Sequence, residues 1–231
     1  MTKTAIVTGA SSGIGKAIAQ KLTSEGVNVA LVARRQEKLA VIEREINENS
    51  SNSGKALAIP TDVSNRNEVE SMVHEARNKF GPIDIYINNA GVMLNALVTE
   101  GQVEKWDQMI DVNVKGVLYG IHAVIPSMLQ RKKGHIINIS SVSGLEVTKR
   151  STVYSATKFA VRAISMGLEK ELARTGVRVT NISPGMVDTD LVRRQVVDRK
   201  MLEAYDIADA VYYAIRQPDY VNVNEITIRP V

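Results

Sequence analysis

No cysteine occurs among the 231 residues, which excludes disulfides, thiolate nucleophiles and Cys-ligated metals. The three histidines, His74, His122 and His135, stand far apart, without the His-x3-His or His-Glu pairing of a metal site, so no metal is expected. The N-terminus has one lysine, Lys3, and then only the short apolar run Ala5–Ile6–Val7 before Thr8–Gly9. That run is too short for a signal core or a membrane span and reads as a first β-strand, so a cytoplasmic location and no membrane partner are expected. The excess of positive charge is also small. The net charge is +4, and the densest basic groups, Arg131–Lys132–Lys133 and Arg193–Arg194, are short and expected in loops. Nucleic acid demands several phosphates neutralised together, and these clusters do not supply that. A modest surplus suits an anionic small ligand instead.

What remains is an ordinary globular composition, 44% hydrophobic and 23% charged, enough for one sizeable core. Short β-rich runs alternate with helical stretches. Strands are expected at Thr4–Val7, Asn28–Ala33, Ala56–Ile59, Ile83–Asn88, His135–Ile139, Val177–Ile182 and Glu225–Ile228. Helices are expected at Ile14–Ser24, Gln36–Asn47, Glu68–Lys79, Val103–Leu129, Thr152–Arg174 and Ile207–Arg216. The continuous apolar run NVALVA at 28–33 reads as a strand covered on both faces. This rhythm implies βαβ units with right-handed crossovers. The expected architecture is α/β: a Rossmann-type, doubly wound parallel sheet of about seven strands, helices on both faces, in one domain over residues 1–231.

Thr8–Gly15 reads TGASSGIG, directly after a strand and before a helix. Gly9 permits a tight turn, Gly13 lets backbone approach a pyrophosphate, and Gly15 lets the helix pack close to the sheet. Ser11, Ser12 and Ile14 fill the same turn, and the helix N-terminus faces the phosphates. A Walker-type loop is excluded, because it would need glycine at Ala10 and a hydroxyl at Ala17. The second strand ends Val32–Ala33–Arg34–Arg35. An NAD site places a carboxylate there for the ribose. Two guanidiniums stand here instead, suited to a 2′-phosphate, and cations in the first turn of a helix oppose its dipole. NADP(H) is therefore expected in preference to NAD(H), mainly through Arg34.

Tyr154 and Lys158 lie four apart at the start of a helix and share a face. A lysine cation beside the phenol would favour the phenolate, and lowering it by ~2–3 pH units corresponds to roughly 3–4 kcal/mol. The same group then serves as acid in carbonyl reduction and base in alcohol oxidation. The strand ending at Ile139 leads into Ser140–Ser141, at the sheet edge where ligands sit in open α/β folds. A Ser141 hydroxyl there can bond the substrate oxygen, although serine also favours caps and turns. Asp107 and Asp111 read as a solvated helix face.

These residues, in this order, resemble the short-chain dehydrogenase/reductase family, in its compact, single-domain, NADP(H)-preferring branch. The resemblance runs nearly end to end through TGASSGIG, Asp62–Val63, Asn88–Gly91 (NNAG), Asn113, Ser141, YSATK at 154–158, and Pro184–Gly185 with Thr189. It implies that Asp62 and Val63 hold the adenine. Asn89, Ala90 and Gly91 would line the adenosine side, and Pro184, Gly185 and Thr189 the nicotinamide side. Asn113 would order a proton-relay water beside Lys158, and Lys158 would also hold the nicotinamide ribose. The implied activity is hydride transfer between NADP(H) and a small carbonyl or alcohol, and relatives pair as homodimers or homotetramers through the long helices. The family also places residues like Arg34 in NADP-preferring members.

Two departures stand out. The segment after Thr189 is short, leaving the substrate pocket more open, and the ending VNVNEITIRP lacks the glycine-rich close of many members. That ending resembles a subset acting on small hydroxy acids. Met93, Leu94, Leu97, Val147, Met186 and Leu191 are candidates for an apolar substrate wall, and Arg150, Arg193 and Arg194 for a carboxylate anchor. The alternative function is a non-catalytic dinucleotide sensor on the same fold. Such a protein would not need Asn113, Ser141, Tyr154 and Lys158 together.

Overall fold

The computed structural model describes residues 2–49, 51, 53–189 and 200–231. Seven strands, β1 (Thr4–Thr8), β2 (Asn28–Ala33), β3 (Ala56–Pro60), β4 (Ile85–Asn88), β5 (Gly134–Ile139), β6 (Val177–Pro184) and β7 (Glu225–Ile228), form one sheet in the order β3-β2-β1-β4-β5-β6-β7. Every pairing is parallel, from Thr4 opposite Asn28 at one side to Pro184 opposite Ile228 at the other. Strand order reverses between β1 and β4, so a crevice opens beyond their carboxyl ends.

Among the described residues seven helices cover the sheet: α1 (Gly13–Ser24), α2 (Gln36–Glu48), α3 (Arg66–Phe80), α4 (Val103–Ile110), α5 (Gly116–Arg131), α6 (Thr152–Glu171) and α7 (Ala204–Ile215). Alternation along β1 divides the core. Ala5 and Val7 pack with Ile18 and Leu22 of α1, Leu39 and Ile42 of α2, and Val211 of α7. Ile6 faces the other way, into Met72 of α3, Val124 and Met128 of α5, and Val161 of α6. Helices on both faces bury both sides of the central strands, which is why Ala5–Val7 of β1 and Val29–Ala33 of β2 are apolar on successive residues.

One expected helix, Val103–Leu129, is three pieces: α4, a π turn at Asp111–Lys115, and α5. By length and composition, Val103–Arg131 could cross a membrane, but its Val117, Ile121, Val124 and Met128 are buried in the core beneath β4 and β5. In the first basic cluster Lys132 and Lys133 form the connection from α5 to β5, as expected, but Arg131 does not. Arg131 ends α5 and its guanidinium bonds the Asp84 carboxylate at 3.0 Å, so it is spent on the fold. Asp111 pairs with Lys115 at 2.8 Å on a solvated face. Leu191, Arg193 and Arg194 lie outside the described residues.

Candidate active site

The turn after β1 is built around close backbone contact. Gly9 adopts φ +69° and a Cβ there would stand 2.8 Å from Asn89 Nδ2. At Gly15 a Cβ would stand within van der Waals radii of the Gly9 carbonyl, so a larger residue would push α1 off the turn. Asn89 fastens this turn to the end of β4: its Nδ2 donates to Thr8 O at 2.8 Å, and the Asn89 and Ala90 amides donate to Thr8 Oγ1. The N-terminus of α1 has neither a side-chain cap on Ser12 nor an acidic residue in its first turn. Its first amides are therefore left for an anion.

Arg35 is folded across this turn. Its Nη2 donates to Ser11 Oγ at 2.7 Å and Ser12 Oγ at 2.9 Å, and its Nε to Ser11 Oγ at 3.2 Å. Arg34 lines the same cleft beside Ala33 at the tip of β2. Asp62, at the end of β3, accepts from Ser64 through Oδ1, and Val63 packs against Gly116. A dinucleotide phosphate group fits this surroundings: uncapped amides, hydroxyls and guanidiniums, with Asp62 itself already hydrogen-bonded.

The far end of the cleft is made by β5, β6 and α6. Lys158 is buried, and its Nζ donates to Ile139 O at 3.0 Å. Ser140 and Ser141 both line the cleft, and the Ser140 hydroxyl is committed to fastening α6 to the strand end, donating to the Lys158 carbonyl at 3.0 Å. Ser141 Oγ also accepts from the Ser143 amide at 3.1 Å, so the turn-capping role and the site position coincide. The Lys158 ammonium lies 5.8 Å from the centre of the Tyr154 ring.

Electrostatics here differ from the sequence expectation. Burial pushes the Tyr154 phenol up from its ordinary range, and hydrogen bonding with Ser141 pulls it only partly back. Lys158 does not bring the phenol down. Its own ammonium is pushed down to about 8 by burial. The physical reason is that both groups share one water-poor wall, where desolvation of each charged form outweighs their mutual help.

The structure brings together nearly all the expected site residues. Gly9, Ser11, Ser12, Gly13, Ile14, Gly15, Arg34, Arg35, Asp62, Val63, Asn89, Ala90, Gly91, Ser141, Tyr154, Lys158, Pro184, Gly185 and Thr189 line one continuous cleft. Asn113 is the exception. It is buried in the π turn, behind Gly91, where its Oδ1 accepts from Val92 N at 2.8 Å and its Nδ2 donates to Val92 O at 2.9 Å. A Cβ on Gly91 would lie 3.4 Å from Asn113 Oδ1 and 3.6 Å from Lys158 Nζ, so both groups face the same glycine. The cleft also takes Ala33, Thr61, Val92, Val112, Ile139 and Val187, which no motif marked; all but Val112 lie at or just beyond a strand end. Of the proposed apolar wall, Met93 alone among the described residues lines the cleft, and Val147 and Arg150 are exposed to solvent. Leu202 pairs with Val187 and exchanges backbone bonds with Met186 and Asp188.

A parallel sheet reversing at β1/β4, with a glycine turn at the reversal and a Tyr–Lys helix opposite, defines a dinucleotide-binding α/β enzyme class. The short chain dehydrogenase family model matches residues 3–200, and the chain belongs to that family. An uncharacterized oxidoreductase of Staphylococcus aureus (strain USA300) is 54% identical over 230 residues, covering 99% of this chain and 97% of the relative. Among solved structures, the closed form of a serine dehydrogenase complexed with NADP+ is similar at TM-score 0.90 and 34% identity, over 98% of this chain and 94% of that one. An alcohol dehydrogenase from the archaeon Thermococcus sibiricus complexed with 5-hydroxy-NADP is similar at TM-score 0.90 and 30% identity, over 100% and 97%.

Proposed function

We propose that this oxidoreductase transfers hydride between NADP(H) and a small carbonyl or alcohol, with Tyr154 as acid/base and Lys158, Ser141 and Asn113 supporting it. The observation that carries the reading is that Tyr154, Lys158 and Ser141 line the same cleft as the glycine turn and Arg34. Bound NADP(H) would give or take the hydride at the substrate carbon.

The protein's own part is to hold the substrate oxygen and move one proton. A phenol held above its ordinary range is protonated at neutral pH, so Tyr154 Oη is poised to donate to a carbonyl oxygen as charge develops there. Ser141, on the same cleft wall and hydrogen-bonded with Tyr154, would offer that oxygen a second donor. Below about pH 8 Lys158 is a cation, which favours the phenolate left behind. In the oxidative direction the same proton returns to Tyr154.

Arg34 and Arg35, with no carboxylate at the β2 tip, support NADP(H) over NAD(H). The two comparison enzymes crystallised with NADP-type ligands agree with this choice. Homo-oligomer formation through the long helices is supported by exposed Val103, Ile110, Leu118, Phe159 and Met166 on α4, α5 and α6.

Calorimetry of NADPH against NADH, on wild type, Arg34→Ala and Tyr154→Phe, tests the reading. It is paired with turnover of acetoacetate and butanedione under NADPH, and of L-serine and isopropanol under NADP+. NADPH is expected to bind at least ~10-fold tighter, about 1.4 kcal/mol, and Arg34→Ala to lose that gap. Tyr154→Phe should keep NADPH affinity while turnover falls at least ~1,000-fold, about 4 kcal/mol. Equal binding of the two cofactors would sink the NADP preference, and a fully active Tyr154→Phe would remove Tyr154 from its role.

A further inference from the structure

Thr157 stands inside the YSATK segment but is buried, off the cleft wall. Its hydroxyl has one proton to give and lone pairs to accept with. The proton goes to the Tyr154 carbonyl at 2.7 Å. A threonine bonding a carbonyl one turn back is common in helices and by itself would mean little. The second bond is of another kind: Asn113 Nδ2, from the π turn 44 residues earlier, donates to Thr157 Oγ1 at 3.0 Å.

That bond completes a chain. The Val92 amide can only donate, so the amide oxygen of Asn113 must face it, and both Nδ2 protons then go to Val92 O and Thr157 Oγ1. Both N–H groups of Asn113 are thereby used on the protein, and its side chain has no donor left for a ligand. Val92 is on the cleft wall, next to Gly91 and Met93. Through two side chains, the wall after β4 is tied to the backbone of the residue that carries the acid/base hydroxyl.

We propose that Thr157 is a positioning residue for the reaction: its hydroxyl fixes the Tyr154 turn of α6 to the Val92 wall through Asn113. The inference rests on the hydride-transfer reading above. A substrate resting against the Val92–Met93 wall meets Tyr154 Oη at a distance set by this joint, and proton transfer needs heavy atoms within about 2.6–3.2 Å. Misplacement by about 1 Å costs on the order of 100-fold in rate. The π turn has a use in this scheme. It sets Asn113 at the height where one amide reaches both Val92 and α6, and such turns gather at functional sites.

The test compares Thr157→Val, which keeps the shape and loses both bonds, with Thr157→Ser, which keeps the hydroxyl. Wild type and Tyr154→Phe run alongside. Amide hydrogen exchange at Val92 is read on cofactor-free protein, and kcat is read with the probes used above. Thr157→Val is expected to raise Val92 exchange and to lower kcat about 10- to 100-fold, with NADPH affinity within ~3-fold of wild type. Thr157→Ser should return both towards wild type. Unchanged exchange at Val92, unchanged kcat, or a serine variant as impaired as the valine one overturns the proposal. So does a loss of cofactor affinity and melting temperature in step with kcat, which would make Thr157 merely structural. A wild type inert with every probe, or an active Tyr154→Phe, counts instead against the hydride-transfer reading, and Val92 exchange still decides whether the joint exists.

Discussion

The two ends of the sheet each bury a cation, and they treat it in opposite ways. At the amino end Arg178, on β6, is 9% exposed. Its guanidinium donates to the carbonyls of Ala214, Ile215, Gln217 and Val221, so it caps the end of α7, where the helix dipole is negative. Burial pulls its pKa down and the nearby Asp219 charge pushes back. At the carboxyl end Lys158, 6% exposed, has a single carbonyl, Ile139 O, and is pushed down to about 8. A planar fork with four acceptors satisfies its charge; an ammonium with one does not. The contrast separates a cation that holds the fold from one held against its preference, and the second kind gathers at sites of chemistry.

The comparison is broken most severely at the satisfied end. Arg178→Met would leave the α7 carbonyls without their donor while saving the cost of burying the charge. We expect a loss of about 2–4 kcal/mol in urea unfolding, with NADPH affinity nearly intact in the fraction that folds. A stable Arg178→Met would mean that the four bonds only offset desolvation.

At the other end the sign reverses. Lys158 titrates near 8 in the folded chain against an ordinary 10.5. Between those values the unfolded chain binds more protons, so this group's contribution to stability rises with pH from about 8 to about 10.5. Below pH 8 its full cost is present. Lys158→Met should therefore stabilise the cofactor-free protein by about 1–3 kcal/mol at pH 7, with the gain gone by about pH 10.5. Turnover should fall by orders of magnitude in the same variant. Equal stability at pH 7, or a gain that grows with pH, would show that Lys158 is not strained by burial.

The sequence showed the architecture more completely than the energetics. β2 and β7 have their expected limits, because an unbroken apolar run and a short β-branched run between polar neighbours mark their own ends. The π turn at Asp111–Lys115 was invisible, since one extra residue in a turn changes no composition and leaves only a small rotation of the buried face. The motif residues converge on one cleft as the family resemblance implied, but Asn113 sits behind it. Its partners, Val92 and Thr157, come from segments 21 and 44 residues away, and no local pattern announces such bonds. The Tyr154 shift took the opposite direction for a related reason. A pairwise argument from Lys158 contains the neighbouring charge and omits burial, and burial is the larger influence on both groups.

The finest probe of the contrast is the smallest change. Among the described glycines, Gly91 is the one at which an added Cβ would stand at ordinary contact distance from both Lys158 Nζ and Asn113 Oδ1, 3.6 Å and 3.4 Å. Its φ is not in the left-handed region among the described glycines, so alanine introduces neither a clash nor backbone strain there. What the methyl does is displace solvent from the ammonium. Gly91→Ala should thus move the Lys158 titration further below 8, since desolvation disfavours the charged form, and slow turnover by a few-fold. pH-resolved competitive labelling of Lys158 with acetic anhydride reads the inflection directly. An inflection that stays at about 8 would mean the ammonium is already as dry as the wall can make it, and a rise would place its charge partner on the Gly91 side.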